Sequence, residues 1–337
     1  MRIFLNAMGG DNAPQAPVEG ALEALRLFPD LEISLAGDLA VVEPLLKDCD
    51  DVRSRITLID APEVITNDES PVMGVRTKKK SATVIGMLQL KAKEVDGFVS
   101  CGSTGAVLAG GMFRLGRIPG IERPALAPVL PTGTNPGALL IDCGANVDCR
   151  PQYLLQFGMM GSIYMEKVMG VNNPRVGLIN IGVETDKGNE LVKTTYPMME
   201  KAPYNFVGNV EAREITNNAA DVLVCDGFCG NLILKFMEGV AKSLLKIIKK
   251  ELLADTRSKI GAALAKPAFN RVKKDMDYSE VGGAPLLGVQ GAVVKGHGSS
   301  NGHAICCAIK QCRKIIEGRV PELIEQGLQS MLPEEEA

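Results

Sequence analysis

Five glycine-rich turns hold the residues with which this chain could do chemistry. They are Asn6-Ala-Met-Gly-Gly-Asp11, Ser100-Cys-Gly-Ser-Thr-Gly-Ala106, Asp142-Cys-Gly-Ala-Asn-Val-Asp148, Cys225-Asp-Gly-Phe-Cys-Gly-Asn231 and Lys295-Gly-His-Gly-Ser-Ser-Asn-Gly302. Each carries Asp, Asn, Ser or His beside its glycines. Glycine lets a backbone approach a ligand without a Cβ clash, and free N–H groups at a helix N-terminus attract anions. A site rich in backbone donors and built for an anionic group is therefore expected. No G-x-x-x-x-G-K-[ST] is present, and no G-x-G-x-x-G follows the first strand. Neither a P-loop nor an ordinary dinucleotide site is expected.

The elements that must position these turns read as alternating strands and helices. Each turn follows an apolar run such as Gly137-Ala-Leu-Leu-Ile141. Strands are expected at Ile3–Leu5, Leu31–Ala36, Ile56–Ile59, Gly97–Val99, Ala125–Leu130 and Leu139–Ile141. Further ones are expected at Val176–Ile181, Asn205–Val207, Val222–Cys225 and Ala292–Val294. Helices are expected from Pro14 to about Phe28, from Asp38 as cap through Leu46, from Ser81 to about Glu94, and from Ser103 or Thr104. The alternation predicts a three-layer α/β/α sandwich with a mostly parallel sheet, whose turns converge on one crevice at the carboxyl strand ends.

One segment breaks the alternation. From Leu232 to Ala254, Ile233, Met237, Val240, Ala241, Leu244, Ile248 and Leu252 recur at helical spacing, and a second helical stretch runs over about 257–274. Between Lys235 and Lys274 there are 11 Lys and Arg against 3 Asp and Glu, inside a chain of net charge −3. A protruding basic αα-hairpin is expected over 232–275, with Leu252, Leu253, Ile260, Leu264 and Phe269 among the basic residues. It suits either an anionic membrane or an acidic carrier protein, or else a dimer seam.

Composition excludes several classes. The balance of 37 Lys and Arg against 40 Asp and Glu does not fit a general nucleic-acid binder. The longest uncharged run, Gly97 to Phe113, is shorter than the roughly 20 apolar residues a spanning helix needs. Met1-Arg2 leads straight into a strand, so no signal peptide is expected and the protein is placed in the cytoplasm. Nine cysteines without C-x-x-C spacing, and two histidines without H-x-x-x-H, read as buried thiols rather than a metal site. One catalytic domain over 1–333 and a frayed acidic tail over 334–337 complete the organisation.

The turns together resemble one family. The A-M-G-G-D opening, R-x-K-K-x-S at Arg76–Ser81, G-x-T-G-A at Gly102–Ala106 and G-I-x-R-P-A-L at Gly120–Leu126 match it. So do D-x-G-A-N-V-D at Asp142–Asp148, G-N-V-E-A-R at Gly208–Arg213, D-G-F-x-G-N at Asp226–Asn231 and H-G-S-S at His297–Ser300. The chain is identified as a member of the PlsX family, the bacterial acyl-acyl-carrier-protein:phosphate acyltransferases. It departs from the pattern at Asn6, Ser103 and Cys229, where the family reads Asp, Asn and Thr. The resemblance implies an isocitrate/isopropylmalate-dehydrogenase-like fold of two intertwined halves and a homodimer. It also implies transfer of a long-chain acyl group from acyl carrier protein to inorganic phosphate, for phospholipid synthesis, with no cofactor.

On that chemistry, Gly102, Ser103, Thr104 and Gly105 at one helix start, with Gly298, Ser299 and Ser300 at another, form the expected phosphate cradle. His297 is expected to polarise the carbonyl or protonate the leaving sulfur. Asn146 and Asn231 are candidate oxyanion donors, and Lys187 a candidate phosphate contact. Asp11 and Asp226 are expected to orient His or Lys, because either would repel phosphate. Arg76, Lys78, Lys79 and Lys80 form a basic run suited to the acidic carrier protein or to phosphate. The implied location is the inner face of the cell membrane, where a glycerol-3-phosphate acyltransferase would take up the acyl phosphate. Three other readings stand beside this one: a phosphotransacetylase-like enzyme using acyl-CoA, a nicotinamide-dependent decarboxylating dehydrogenase, and a membrane-surface scaffold without catalysis.

Overall fold

The protein is described here by a computed structural model covering residues 1–47, 49–133, 136–275 and 282–331. The expected acidic tail, 334–337, lies outside the described residues. Among the described residues there are twelve strands: β1 (Arg2–Asn6), β2 (Glu32–Gly37), β3 (Ile56–Asp60), β4 (Gly97–Ser100), β5 (Ala125–Leu126), β6 (Val129–Leu130), β7 (Ala138–Ile141), β8 (Val176–Asn180), β9 (Phe206–Glu211), β10 (Val222–Val224), β11 (Ala284–Leu287) and β12 (Ala292–Lys295). The α-helices are α1 (Gln15–Leu27), α2 (Leu39–Val42), α3 (Pro71–Thr77), α4 (Ala82–Lys91), α5 (Thr104–Gly110), α6 (Pro151–Lys167), α7 (Glu190–Met199), α8 (Gly227–Leu252), α9 (Thr256–Asp275), α10 (Gly302–Glu317) and α11 (Val320–Gln329).

The strands form two sheets rather than one. The first has the order β3-β2-β1-β4-β12-β11-β5, the second β6-β7-β10-β8-β9. Pairing is mostly parallel, with antiparallel contacts confined to β11–β12, β11–β5 and β6–β7. The sheets meet at residues 125–130, where β5 pairs with β11 and β6 pairs with β7. Strand β11, absent from the sequence expectation, reads Ala-Pro-Leu-Leu, and its proline and shortness hide the usual alternating signal.

Burial on both faces explains the continuous apolar runs. All residues of β4, β7, β8 and β12 are buried, as parallel strands covered on both sides require. Ile3 and Leu5 point into the main core with Tyr164, Ile305 and Ile309, whereas Phe4 stacks on Phe98 in a second core with Met87. In the second sheet Leu140 and Leu223 pack with Ile233, Leu234 and Met237 of α8. Helix starts follow the sequence closely: Asp38, Ser81 and Asn301 each accept a backbone N–H of the helix they precede.

Candidate active site

Sheet order decides which turns meet. Strands β1, β4 and β12 are neighbours, so the turns that follow them touch. Gly9 lies so close to Gly102 that a Cβ would sit 2.6 Å from its backbone nitrogen, and Asp11 N–H donates to Gly298 O at 2.7 Å. Asn12 Nδ2 holds Ser300 O at 3.1 Å, and Asn6 Nδ2 donates to Ser100 Oγ at 3.0 Å, which accepts Gly102 N–H at 3.1 Å. Strands β7 and β10 are neighbours in the second sheet, and their turns pack as a separate pair. A Cβ at Gly227 would come within 2.6 Å of both Asn146 O and Asp142 Oδ2, and one at Gly230 would fall on Asp142 O. The five turns therefore form two clusters.

Between the clusters is a cavity of about 550 Å³. Thr104, Lys295, His297, Ser299 and Ser300 contribute its polar end from the first sheet, and Asn231 faces it from the second. Its walls carry Leu126, Pro128, Val129 and Leu130 on one side, with Leu234 and Met237 of α8 on the other, where Lys235, Glu238 and Lys242 add charge.

His297 is half-buried, and its Nδ1 accepts Ser299 N–H at 3.2 Å and lies 2.8 Å from Ser299 Oγ. In the neutral ring the proton is thus on Nε2. Desolvation pushes the imidazole below its ordinary value; Glu238 opposes this, while Lys235, Lys295 and Lys242 push the same way. The ring is suited to donate a hydrogen bond rather than to carry a positive charge. Lys295 is 8% exposed. Burial lowers its ammonium from the usual lysine range, opposed by Cys101 and Asp11. It donates to the Gly296 carbonyl. A buried cation lining an open cavity is best compensated by an anion placed there. Sequence reasoning missed this residue, although a lysine closing an apolar strand directly before a glycine turn was a visible signal.

The structure spends several sequence candidates elsewhere. Asn146 Nδ2 donates to Pro124 O at 2.8 Å and to Asp142 Oδ2 at 3.1 Å, so its amide braces the turn and is not an available oxyanion donor. Asp226 caps α8 through Cys229 N–H at 2.8 Å, which explains it without a histidine or lysine to orient. The Asp142 carboxylate is fully buried, accepting from Leu126, Ala145 and Asn146 backbone N–H groups; burial pushes it up to about 6 against those donors. Ser103 caps α5 by accepting Ala106 N–H at 3.4 Å, and the Gly102 N–H is taken by Ser100. Gly105 lies against Pro71, where a Cβ would approach to 2.5 Å. In the fifth turn Ser299 and Ser300 N–H both point back to His297. The phosphate cradle is therefore not a simple row of backbone donors. Asp11 stands beside Gly298, whose Cβ would lie 3.5 Å from its carboxylate. Lys187 follows β8 on an exposed loop and is not among the residues lining the cavity. Of the basic run, Lys78 Nζ is bound by Glu69 and by Val64 O, both at 2.7 Å, whereas Arg76, Lys79 and Lys80 are exposed.

The family of fatty acid synthesis proteins matches residues 1–323. The chain belongs to that family. Its curated relatives are phosphate acyltransferases, one from Alkaliphilus oremlandii, 50% identical over 331 residues and 98% of each chain. Another, from Thermoanaerobacter pseudethanolicus, is 47% identical over 331 residues and again 98% of each. This is the PlsX family, and the chain is an acyltransferase. Among solved structures, a phosphotransacetylase from Streptococcus pyogenes shares the fold with a TM-score of 0.58 over 94% of each chain, at 17% identity.

Proposed function

We propose that this phosphate acyltransferase brings inorganic phosphate to the thioester carbon of a long-chain acyl-carrier protein in the cavity between the two sheets. The products are acyl phosphate for phospholipid synthesis and free carrier. The observation that carries the placement is a buried Lys295 beside a half-buried His297 at the polar end of a cavity with a long apolar wall. Phosphate is already substantially dianionic at neutral pH, so no activating base is required. Lys295, with the hydroxyls of Thr104, Ser299 and Ser300, holds it. A phosphate oxygen bonds to the carbonyl carbon, and the oxyanion so formed takes a hydrogen bond from His297 Nε2–H and another from the Asn231 amide. The C–S bond then breaks, and a thiol of pKa near ~8.5 leaves with little need for prior protonation. Orientation supplies several kcal/mol of the barrier and a single oxyanion donor about 3–4.

Incubating the purified protein with palmitoyl-carrier protein, palmitoyl-CoA and phosphate, and assaying acyl phosphate, tests the reading. Carrier-dependent and phosphate-dependent product is expected. Preference for the CoA thioester would favour the phosphotransacetylase-like alternative, and no product at all would leave the scaffold.

The remaining parts of the proposal concern architecture and surroundings. The strand order, with β11 and β12 returning to the first sheet after the strands of the second, supports two intertwined halves in a three-layer, isocitrate/isopropylmalate-dehydrogenase-like arrangement. Helix α3 abuts α5 at Pro71 and Gly105, and the exposed Arg76, Lys79 and Lys80 beside it are proposed as the contact for the acidic carrier. A homodimer is proposed as well, checked by sedimentation velocity.

The helical hairpin α8–α9 is proposed as a peripheral anchor on the anionic inner face of the cell membrane. Among the described residues no helix is long and apolar enough to cross a membrane. Leu253, Ile260 and Leu264 are 49%, 60% and 80% exposed among lysines and arginines, which suits surface insertion. Leu252 is half-buried and so contributes less. Each basic residue near an anionic surface adds about 1 kcal/mol. Leu253→Glu with Leu264→Glu is expected to abolish sedimentation with anionic vesicles while activity on soluble substrates persists. Undiminished vesicle binding would remove the anchor; a monomeric, inactive variant would make the tip a dimer seam instead.

A further inference from the structure

We infer that α8 measures the acyl chain, and that Ala241 sets how long a chain the cavity accepts. The inference rests on the acyl thioester reacting beside His297.

Helix α8 offers the cavity two stripes of opposite character. One is polar, and its Lys235, Glu238 and Lys242 all act electrostatically on His297. The other is apolar: Leu234, Met237, Ala241 and Leu245, at helical spacing, facing the Leu126–Pro131 wall. A substrate whose charged head sits at His297 can lay its apolar part along the second stripe. The helix shows the same division in its burial. Leu234, Met237 and Ala241 are half-buried and Leu245 is 39% exposed, whereas Leu232, Phe236 and Val240 on the outward side are 55%, 74% and 47% exposed.

Length and residue size make the stripe a ruler. From Leu234 to Leu245 the helix rises about 16 Å at ~1.5 Å per residue. That is close to half the ~30 Å hydrocarbon thickness of a bilayer, the span of one lipid chain. Ala241 is the smallest member of the stripe and lies about 10 Å along it from Leu234. Its short side chain adds little bulk between Met237 and Leu245. Chains that pass it gain about fourfold in binding for each further buried methylene; chains stopped there do not.

The test compares kcat/KM for octanoyl-, lauroyl- and palmitoyl-carrier protein, with phosphate, in wild type and Ala241→Phe. The palmitoyl value is expected to fall about tenfold or more while the octanoyl value stays within about threefold of wild type. Ala241→Leu, with less bulk, should shift the ratio the same way, and Val240→Phe, on the outward face, should leave it unchanged. Equal losses at every length in an Ala241 variant that melts like wild type would overturn the ruler alone, as would an unchanged ratio in both Ala241 variants. A wild type that forms no acyl phosphate at any length overturns the reading of function, and the inference falls with it.

Discussion

His297→Ala is expected to lower kcat about 10²-fold or more with the fold intact, the usual scale for a group that moves or shares a proton in the transition state. Lys295→Met should cost a similar factor, because on the proposed mechanism it removes the buried cation that holds phosphate. The two effects should divide differently between the kinetic constants. On the proposed mechanism His297 contacts the carbonyl oxygen as charge develops, so its loss belongs mainly in kcat. Lys295, proposed to hold ground-state phosphate, should in its variant also raise KM for phosphate. The pH profile adds a third readout. Desolvation lowers the His297 pKa, leaving the ring neutral at neutral pH, with Nδ1 held by Ser299 N–H and the proton on Nε2. A neutral donor predicts that wild-type kcat does not fall between pH 6.5 and 8, whereas an imidazolium acid would lose activity as pH rises through its pKa. Steady-state kinetics on both variants, with thermal melts, decides the matter. A folded His297→Ala enzyme turning over like wild type rejects the assignment.

Gly230→Ala should be the most destabilising single methyl addition on α8. The new Cβ would fall on the Asp142 carbonyl oxygen, with Cys225 Sγ 3.0 Å away. Neither neighbour can move: Asp142 is buried and pinned by three backbone N–H groups, and Cys225 is buried behind β10. The first turn of α8 must shift instead, carrying Asn231 away from the cavity. Forced overpacking of this kind costs about 3 kcal/mol or more. Gly239→Ala provides the matched comparison on the same helix, since a Cβ there meets nothing within 4 Å. That variant should gain up to about 1 kcal/mol from helix propensity. Urea unfolding of the two variants measures the contrast; equal stabilities would show that turns three and four are not closely packed.

Much of the fold was legible because its signals are local. Apolar strands ending in glycine turns, and helix starts at Asp38 and Ser81, depend on residues within a few positions of one another. The mostly parallel α/β class followed from the alternation, and the ordered motifs were enough to indicate the family. The stripe on α8 was only half legible. Its periodicity placed Val240 and Leu244 with Met237 and Ala241, but Val240 and Leu244 turn outward at 47% and 53% exposure. A helix apolar on two sides has no single stripe to read, and only its neighbours say which side meets the cavity.

The sequence by itself determined that glycine is required at these turns, that Asn, Ser, His and Lys stand beside it, and which family the chain belongs to. Only the tertiary structure decided what each glycine is for. The same absence of Cβ serves a ligand or a neighbouring backbone, and nothing local distinguishes them. Sheet order does: β1, β4 and β12 side by side lock Gly9 against Gly102 and Asp11 against Gly298, while β7 beside β10 locks Gly230 against Asp142. The same long-range pairing spends Asn146 and Asp226 on their own turns, buries Lys295 at the cavity and aims α8 along its length. Those outcomes depend on contacts between residues far apart in the chain, which no window of sequence contains.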